Sequence, residues 1–177
     1  MINIKENFLP KNKFEEIRDK LFSENFYWSL AHDVVSNTPK FAATCEEIYN
    51  WQLIHNFYES PATLSRDINT INPIMKIIDP RLLIRIKANL TPRADKIVEH
   101  GFHRDVEPPI NGATTSILYL NTNNGHTTFE DGTKIPSVAN TFVSFPSDMK
   151  HTGSTCTDEK FRGLINFNYI KKNDHDE

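Results

Sequence analysis

Cysteine is almost missing from this chain of 177 residues: Cys45 and Cys156 are the only two, far apart and outside any Cys-x-x-Cys pair. That excludes a disulfide framework and a thiolate zinc site and leaves two ordinary thiols. No activating neighbour marks Cys156, just beyond His151, as a nucleophile. Long apolar runs are missing too, since nothing approaches the roughly 20 apolar residues needed to cross a bilayer. The opening "MINIKENFLP" lacks the basic segment and apolar core of an export signal. A soluble, cytoplasmic protein with no membrane partner is therefore expected. Charge is not in excess, with 20 Lys+Arg against 23 Asp+Glu for a formal net charge of −3. A dedicated nucleic-acid binder carries a basic footprint, so nucleic acid is a less favoured partner, though not an excluded one. Repeats, low-complexity tracts and linkers are also lacking. The length suits one domain, 1–177, with a core that needs no staple. Nothing in the sequence fixes an oligomeric state.

What is present changes character near residue 80. Pro10 opens a segment in which Phe14, Ile17, Leu21 and Phe22 fall on one helical face, which predicts a helix over Lys11–Phe22. Leu64, Ile68, Ile71, Met75 and Ile78 recur at steps of four and three, predicting a second helix kinked or divided at Pro73. Between them, "FYWSLAH" and "WQLIHNFY" read as short strands, with Trp28 and Trp51 in packing roles. The part from about 1 to 80 thus reads as helix-rich. From Leu82 the period becomes two: Leu82, Ile84, Ile86, Ala88 and Leu90 alternate with Leu83, Arg85, Lys87 and Asn89, a strand with one wet or functional face. "TTSILYLN", "NTFVSFP" and "FRGLINFNYI" are further strands. "NTNNG" is turn chemistry, and "HTTFEDGTKIP" is a strand, an Asp-Gly turn and a strand. The tail "KKNDHDE" is expected to fray. Helices followed by many short strands predict a mainly β fold with flanking helices, a sandwich or jelly-roll barrel whose core runs over about 82–170.

The stretch "EHGFHRDVEPP" sets His103 and Asp105 two residues apart. On a strand they share a face, so an imidazole nitrogen and a carboxylate oxygen can converge on a metal ion. Alone, a His-x-Asp is more readily a polar strand end. A jelly roll brings distant strands together, and His151, after "FPSDMK" where an apolar strand ends, is the best third ligand. Two histidines and one carboxylate form the facial triad of non-haem Fe(II) oxygenases, which leaves three positions open for a chelating 2-oxoacid and O₂. Arg162 shares a strand face with Leu164, Asn166 and Asn168, opposite the apolar Phe161, Ile165, Phe167 and Tyr169. Its guanidinium suits the far carboxylate of a dicarboxylic 2-oxoacid. The Tyr119 hydroxyl, from a strand face it shares with Ile117 and Thr115, is a second donor to that carboxylate.

The other polar residues carry weaker readings. His100, three residues before His103, falls off the other side of a regular strand and reads as structural or as a support behind the ligands. His126 follows a turn and meets either substrate or solvent. His32 and His55 read as packing or surface groups, and His175 as tail. Arg85, Lys87 and Asn89 either line the entry to a charged cavity or form a solvated face.

The order "HRD", "ILYLN", "NNGHTTFEDG", "FPSDMKH" and then Arg162 resembles the Fe(II)- and 2-oxoglutarate-dependent dioxygenases, in particular their prolyl-4-hydroxylase-like branch of bacteria and phages. The resemblance runs over roughly Leu82 to Ile170. It implies a double-stranded β-helix, a cupin-like jelly roll, with iron on His103, Asp105 and His151. It further implies that Arg162, helped by Tyr119, holds 2-oxoglutarate. 2-Oxoglutarate and O₂ are the implied cosubstrates, and ascorbate an accessory reductant. The implied reaction hydroxylates an unactivated C–H bond and releases succinate and CO₂. The substrate implied is a protein or peptide, with peptidyl proline first, or a small molecule. Two features depart from the pattern: many collagen-type prolyl hydroxylases use lysine at the position of Arg162, and "NNGHTTFEDG" only loosely echoes their Gly-Gly segment. Two other functions use the same residues: a metal-dependent hydrolase on the His/Asp/His site, and a non-catalytic jelly-roll module that binds a sugar or peptide.

Overall fold

A computed structural model describes residues 1–35 and 45–172. In chain order its elements are β1 (Asn3–Lys5), α1 (Lys11–Leu21), β2 (Ser29–Ala31), β3 (Gln52–Glu59), β4 (Thr63–Leu64), α2 (Asn72–Ile78) and β5 (Pro80–Pro92). They continue with β6 (Ala113–Tyr119), β7 (Asn123–Phe129), β8 (Lys134–Ser137), β9 (Phe142–Pro146), β10 (His151–Gly153) and β11 (Phe161–Lys171). Short 3-10 turns lie at Glu47–Tyr49 and Ile68–Ile71.

The strands form two antiparallel sheets. The larger runs β1-β9-β6-β11-β5-β3-β2, with β4 also on β3, and the smaller runs β10-β7-β8. Non-consecutive neighbours in both sheets are the mark of a double-stranded β-helix, the jelly roll expected from the sequence.

Strand alternation separates two interiors. Ile86 and Ala88 of β5, Leu118 of β6 and Ile165, Phe167 and Tyr169 of β11 turn outward, under Phe14, Ile17 and Leu21 of α1 and Ile74 of α2. Each fully buried side chain of this kind contributes about 1.5 to 3 kcal/mol relative to exposure. The helix α1 shows the predicted steps of three and four at its buried residues, and Trp28 Nε1 donates to the Leu21 carbonyl at 3.1 Å, satisfying a group left open at the helix end. On the inner face, Ile117, Tyr119, Phe129, Ile135, Val143 and Phe145 form a second apolar cluster between the sheets. The inward residues of β5 and β11 are mostly polar instead, Leu164 excepted, and they line the cavity described below.

Three expectations need correction. Leu64 is not helical: it pairs with Tyr58 in β4 and is exposed, so its place in the apolar period was coincidental. Pro73 does not kink a helix but stands in the first turn of α2, where its missing N–H costs nothing. Asn123, Asn124 and Gly125 belong to β7, which carries a register shift between Asn123 and His126, and the turn is confined to the residues before them. The end of the predicted frayed tail, with His175, lies outside the described residues.

Candidate metal centre and anion cavity

The segment between β5 and β6 passes beside β10 and the residue after it, with isolated antiparallel bridges at Glu99–Ser154 and at His103–His151. His103 and His151 each donate the backbone N–H to the other's carbonyl at 3.0 Å. This isolated bridge, not the regular strand expected around His103, brings the two imidazoles together, with ring centroids 4.9 Å apart. Asp105 follows after two residues. Its Oδ2 lies 3.3 Å from His151 Nε2 and its Oδ1 4.0 Å from His103 Nε2. One ligand atom from each of His103, Asp105 and His151 falls within 4.8 Å of the others.

Both rings present the same nitrogen to the cluster. His103 Nδ1 faces the Gly101 carbonyl at 3.1 Å and His151 Nδ1 faces the Met149 carbonyl at 3.4 Å. A carbonyl accepts, so His103 Nδ1 carries the proton and its Nε2 offers a lone pair inward, and the same tautomer of His151 is the one a metal would take. Burial, and next the charge of His151, push His103 down to about 4, so its imidazole is neutral at physiological pH. Burial works against the Asp105 charge, yet the adjoining His151 and Arg85 hold its carboxyl well below the usual carboxylate range. A neutral imidazole and an ionised carboxylate are the forms that bind a metal. Two nitrogens and one oxygen on one side of a point suit a divalent transition metal with open positions.

The carboxylate is fixed from behind. Arg85 Nη2 donates to Asp105 Oδ1 at 3.1 Å, and Asn166 Nδ2 donates to Oδ2 at 2.7 Å. Arg85 is itself oriented by Nε donating to Asn168 Oδ1 at 3.1 Å, and Asn168 donates to Thr115 Oγ1 at 3.0 Å. Sequence reasoning placed Asn166 and Asn168 on the Arg162 face but gave them no partner, and left Arg85 undecided. For Arg85 and Asn166 the partner is Asp105, and for Asn168 it is Arg85 with Thr115, contacts that no local pattern near residues 85 or 166 reveals.

Beside the cluster lies a cavity of about 60 Å³ lined by, among others, His103, His151, Asn166, Thr127, His100 and Arg162. Arg162 is 2% exposed. Its Nε donates to Ser137 Oγ at 2.6 Å and its Nη2 to Thr127 Oγ1 at 2.9 Å, and its guanidinium sits 5.4 Å from the centroid of the Tyr119 ring. Among the described residues no carboxylate pairs with it. Burial pulls the guanidinium below its ordinary value, but an arginine remains a cation. Its stem passes so close to β7 that a Cβ at Gly125 would stand 2.7 Å from Arg162 Cδ and 2.7 Å from the Thr155 carbonyl oxygen. Glycine at 125 serves this close approach, which explains turn-like chemistry inside a strand.

Tyr119 is placed differently from expectation. Its hydroxyl donates to Thr127 Oγ1 at 2.9 Å and its ring underlies Arg162, so Thr127 lies between it and the cavity. Thr127 Oγ1 accepts from both Tyr119 and Arg162, which leaves the threonine's own proton free to donate to a guest. His100 also lines the cavity. Its Nδ1 meets the Gly153 carbonyl at 2.9 Å, and among the described residues its buried Nε2 has no close hydrogen-bond partner. His126 instead bonds Glu99 Oε1 at 2.9 Å, together with Thr128 and Lys134, and His55 is held between the Tyr27 carbonyl and Ser65. On the other side of the cluster an open groove of about 340 Å³ is bordered by β2, β3, Lys87, His103, Arg104, Asp105 and Glu107.

No protein-family model matches the sequence, and no curated protein matches it. Solved structures do. A prolyl-4-hydroxylase from Pseudomonas putida superposes with a TM-score of 0.55 at 14% identity, covering 96% of this chain and 92% of that one. A prolyl hydroxylase from Trichoplax adhaerens, in complex with a hypoxia inducible factor oxygen degradation domain peptide fragment, gives 0.63 at 15% identity, with 96% and 83% covered. HygX from Streptomyces hygroscopicus, with nickel and 2-oxoglutarate bound, gives 0.56 at 11% identity, with 97% and 83% covered. These similarities establish the fold. Among the described residues no helix is long and apolar enough to cross a membrane.

Proposed function

We propose that this chain is an Fe(II)- and 2-oxoglutarate-dependent dioxygenase that hydroxylates an unactivated C–H bond. The observation that carries the reading is Arg162: a buried cation, without an acid among the described residues, in the same cavity as His103 and His151, whose cluster Asp105 completes. A fold that buries an unpaired charge has a use for an anion there. A metal-dependent hydrolase needs the three ligands but not this anchor. A passive jelly-roll binder needs neither two inward-facing imidazoles nor a buttressed carboxylate. The resemblance in sequence and the fold shared with HygX, whose structure has nickel and 2-oxoglutarate bound, support the same choice.

His103, Asp105 and His151 would hold the iron, and the donor set fits it. The bound metal with O₂ would supply oxidative decarboxylation of 2-oxoglutarate to succinate and CO₂, and with it the oxidant for the substrate C–H bond. The chain's own work is positioning. Arg162 takes the far carboxylate of the cosubstrate, and Thr127, propped by Tyr119, adds a neutral donor. Arg85 and Asn166 keep the Asp105 carboxylate aimed while the apolar wall of Ile117 and Leu164 limits water. The substrate, a peptide or small molecule, enters from the groove bordered by β2 and β3. The peptide held by the Trichoplax neighbour supports a peptidyl substrate, with proline first.

Anaerobic titration of Fe(II) tests the centre. One equivalent should bind, His103→Ala, Asp105→Ala and His151→Ala should each weaken it strongly, and His100→Ala should retain it. Unchanged affinity in all three folded ligand variants overturns the proposal.

A further inference from the structure

The inward face of β5 carries Arg85, Lys87, Asn89 and Thr91 in alternation. Most of their polar groups are committed. Arg85 is spent on Asp105 and Asn168, and Asn89 donates to Gln52 Oε1 at 2.7 Å. Lys87 is not: among the described residues its ammonium has no hydrogen-bond or ion-pair partner. The nearest acids do not supply one. Both oxygens of Asp105 are taken, by Arg85 and by Asn166 with His151, and Glu59 is exposed and acts only from a distance. Burial, reinforced by the Arg85 charge, lowers Lys87 to about 8. Lys87 is half-buried where the cavity meets the outer groove, so the fold keeps a second cation beside the metal ligands without an acid of its own among the described residues.

Register places the two cations. Thr91 of β5 lies opposite Arg162 of β11, and Lys87 lies opposite Asn166, the residue that bonds Asp105. Thr91 and Arg162 thus mark one end of the cavity, and Lys87 stands at the level of the metal ligands, between the cavity and the outer groove. We propose that Lys87 anchors the metal-side carboxylate of the cosubstrate, so that a 2-oxo dicarboxylic acid is held at both ends, by Arg162 and by Lys87. The inference rests on the reading of the site as a 2-oxoacid-dependent metal centre. Its chemistry is charge neutralisation: a carboxylate that also chelates a metal already bound by Asp105 gathers negative charge at one point, and an ammonium beside it offsets that charge.

The test is calorimetric titration of the zinc-loaded full chain, with two probes that share the metal-side 2-oxoacid. 2-Oxoglutarate has the far carboxylate and 2-oxobutanoate lacks it. Lys87→Met should weaken both probes by about tenfold or more, the loss expected for a hydrogen bond to a charged group. Arg162→Met should weaken 2-oxoglutarate and leave 2-oxobutanoate as it was. Lys87→Arg should recover part of the affinity, and zinc should bind Lys87→Met as it binds wild type. Lys87→Gln provides a second, polar replacement if the methionine variant fails to fold. Wild-type affinity for both probes in the folded Lys87 variants overturns the inference and leaves the groove as the place where the lysine acts. Failure of zinc-loaded wild type to bind 2-oxoglutarate would instead remove the functional reading, and this inference with it.

Discussion

Replacing Arg162 by methionine separates what the arginine does for the fold from what it does for a ligand. In the ligand-free protein the guanidinium has lost its water and gained two hydroxyl acceptors, Ser137 and Thr127, and the face of Tyr119. Burying a charge costs several kcal/mol, whereas hydrogen bonds from a charged donor return about 1.5 to 3 kcal/mol each and a desolvated cation–aromatic contact about 2. These oppose one another, so methionine, which fills much of the space without a charge, should leave urea unfolding within about 2 kcal/mol of wild type. Affinity has no such compensation. Losing a bidentate carboxylate clamp removes two charge-assisted bonds, at least about 3 kcal/mol, or a hundredfold or more in the 2-oxoglutarate dissociation constant. Arg162→Lys should recover only part, because an ammonium keeps the charge but not the planar fork. Urea denaturation and calorimetric 2-oxoglutarate titration on the same preparations provide the two numbers. A variant destabilised by more than about 4 kcal/mol, with unchanged affinity in its folded fraction, would refute the reasoning and make Arg162 a structural residue.

Other perturbations reach the same cavity by different routes. Gly125→Ala puts a methyl 2.7 Å from Arg162 Cδ and should cost about 1 to 3 kcal/mol of stability while weakening 2-oxoglutarate, as urea unfolding and titration would report. Thr127→Val should lower 2-oxoglutarate affinity more than Tyr119→Phe, because the tyrosine hydroxyl ends on the threonine; the reverse order in titrations would place Tyr119 on the ligand. His103 titrates near 4 in the folded protein against 6.5 ordinarily, so between those values the unfolded chain binds more protons and stability falls as pH falls. Metal-free wild type should therefore lose up to about 2 kcal/mol more than His103→Gln between pH 7 and pH 5 in urea unfolding, and equal losses would contradict the shift.

The sequence was most legible where one period ran long. The alternation over Leu82–Leu90 and the face shared by Arg162, Asn166 and Asn168 both mark strands with a polar inner side, and β5 and β11 pair along nearly their whole length. The phase of β5 slips near its start: a register shift lets Leu83 pack against the core while Leu82 is exposed, which no single-strand pattern contains. The helix expected from Leu64 onward failed because five apolar residues satisfied a period that a strand, a 3-10 turn and a short helix actually divide among them. At the site, His103, Asp105, His151 and Arg162 were visible as residue types in an order. What holds them was not. The His103–His151 bridge involves β10, a strand of three residues, and the contacts of Arg85 and Asn166 with Asp105 span 20 and 61 positions. Long-range pairing of this kind leaves no local trace.

The central claim is that this cluster consumes 2-oxoglutarate, and the formation of succinate measures it most directly. Purified chain given Fe(II), O₂ and 2-oxoglutarate should release succinate slowly without added substrate and faster with a suitable peptide or small molecule. Release should cease on chelation or in His151→Ala and should require more 2-oxoglutarate in Arg162→Met. Folded protein with iron bound that forms no succinate under any of these conditions, yet hydrolyses an ester or amide when loaded with metal, would contradict the account and establish the hydrolase in its place.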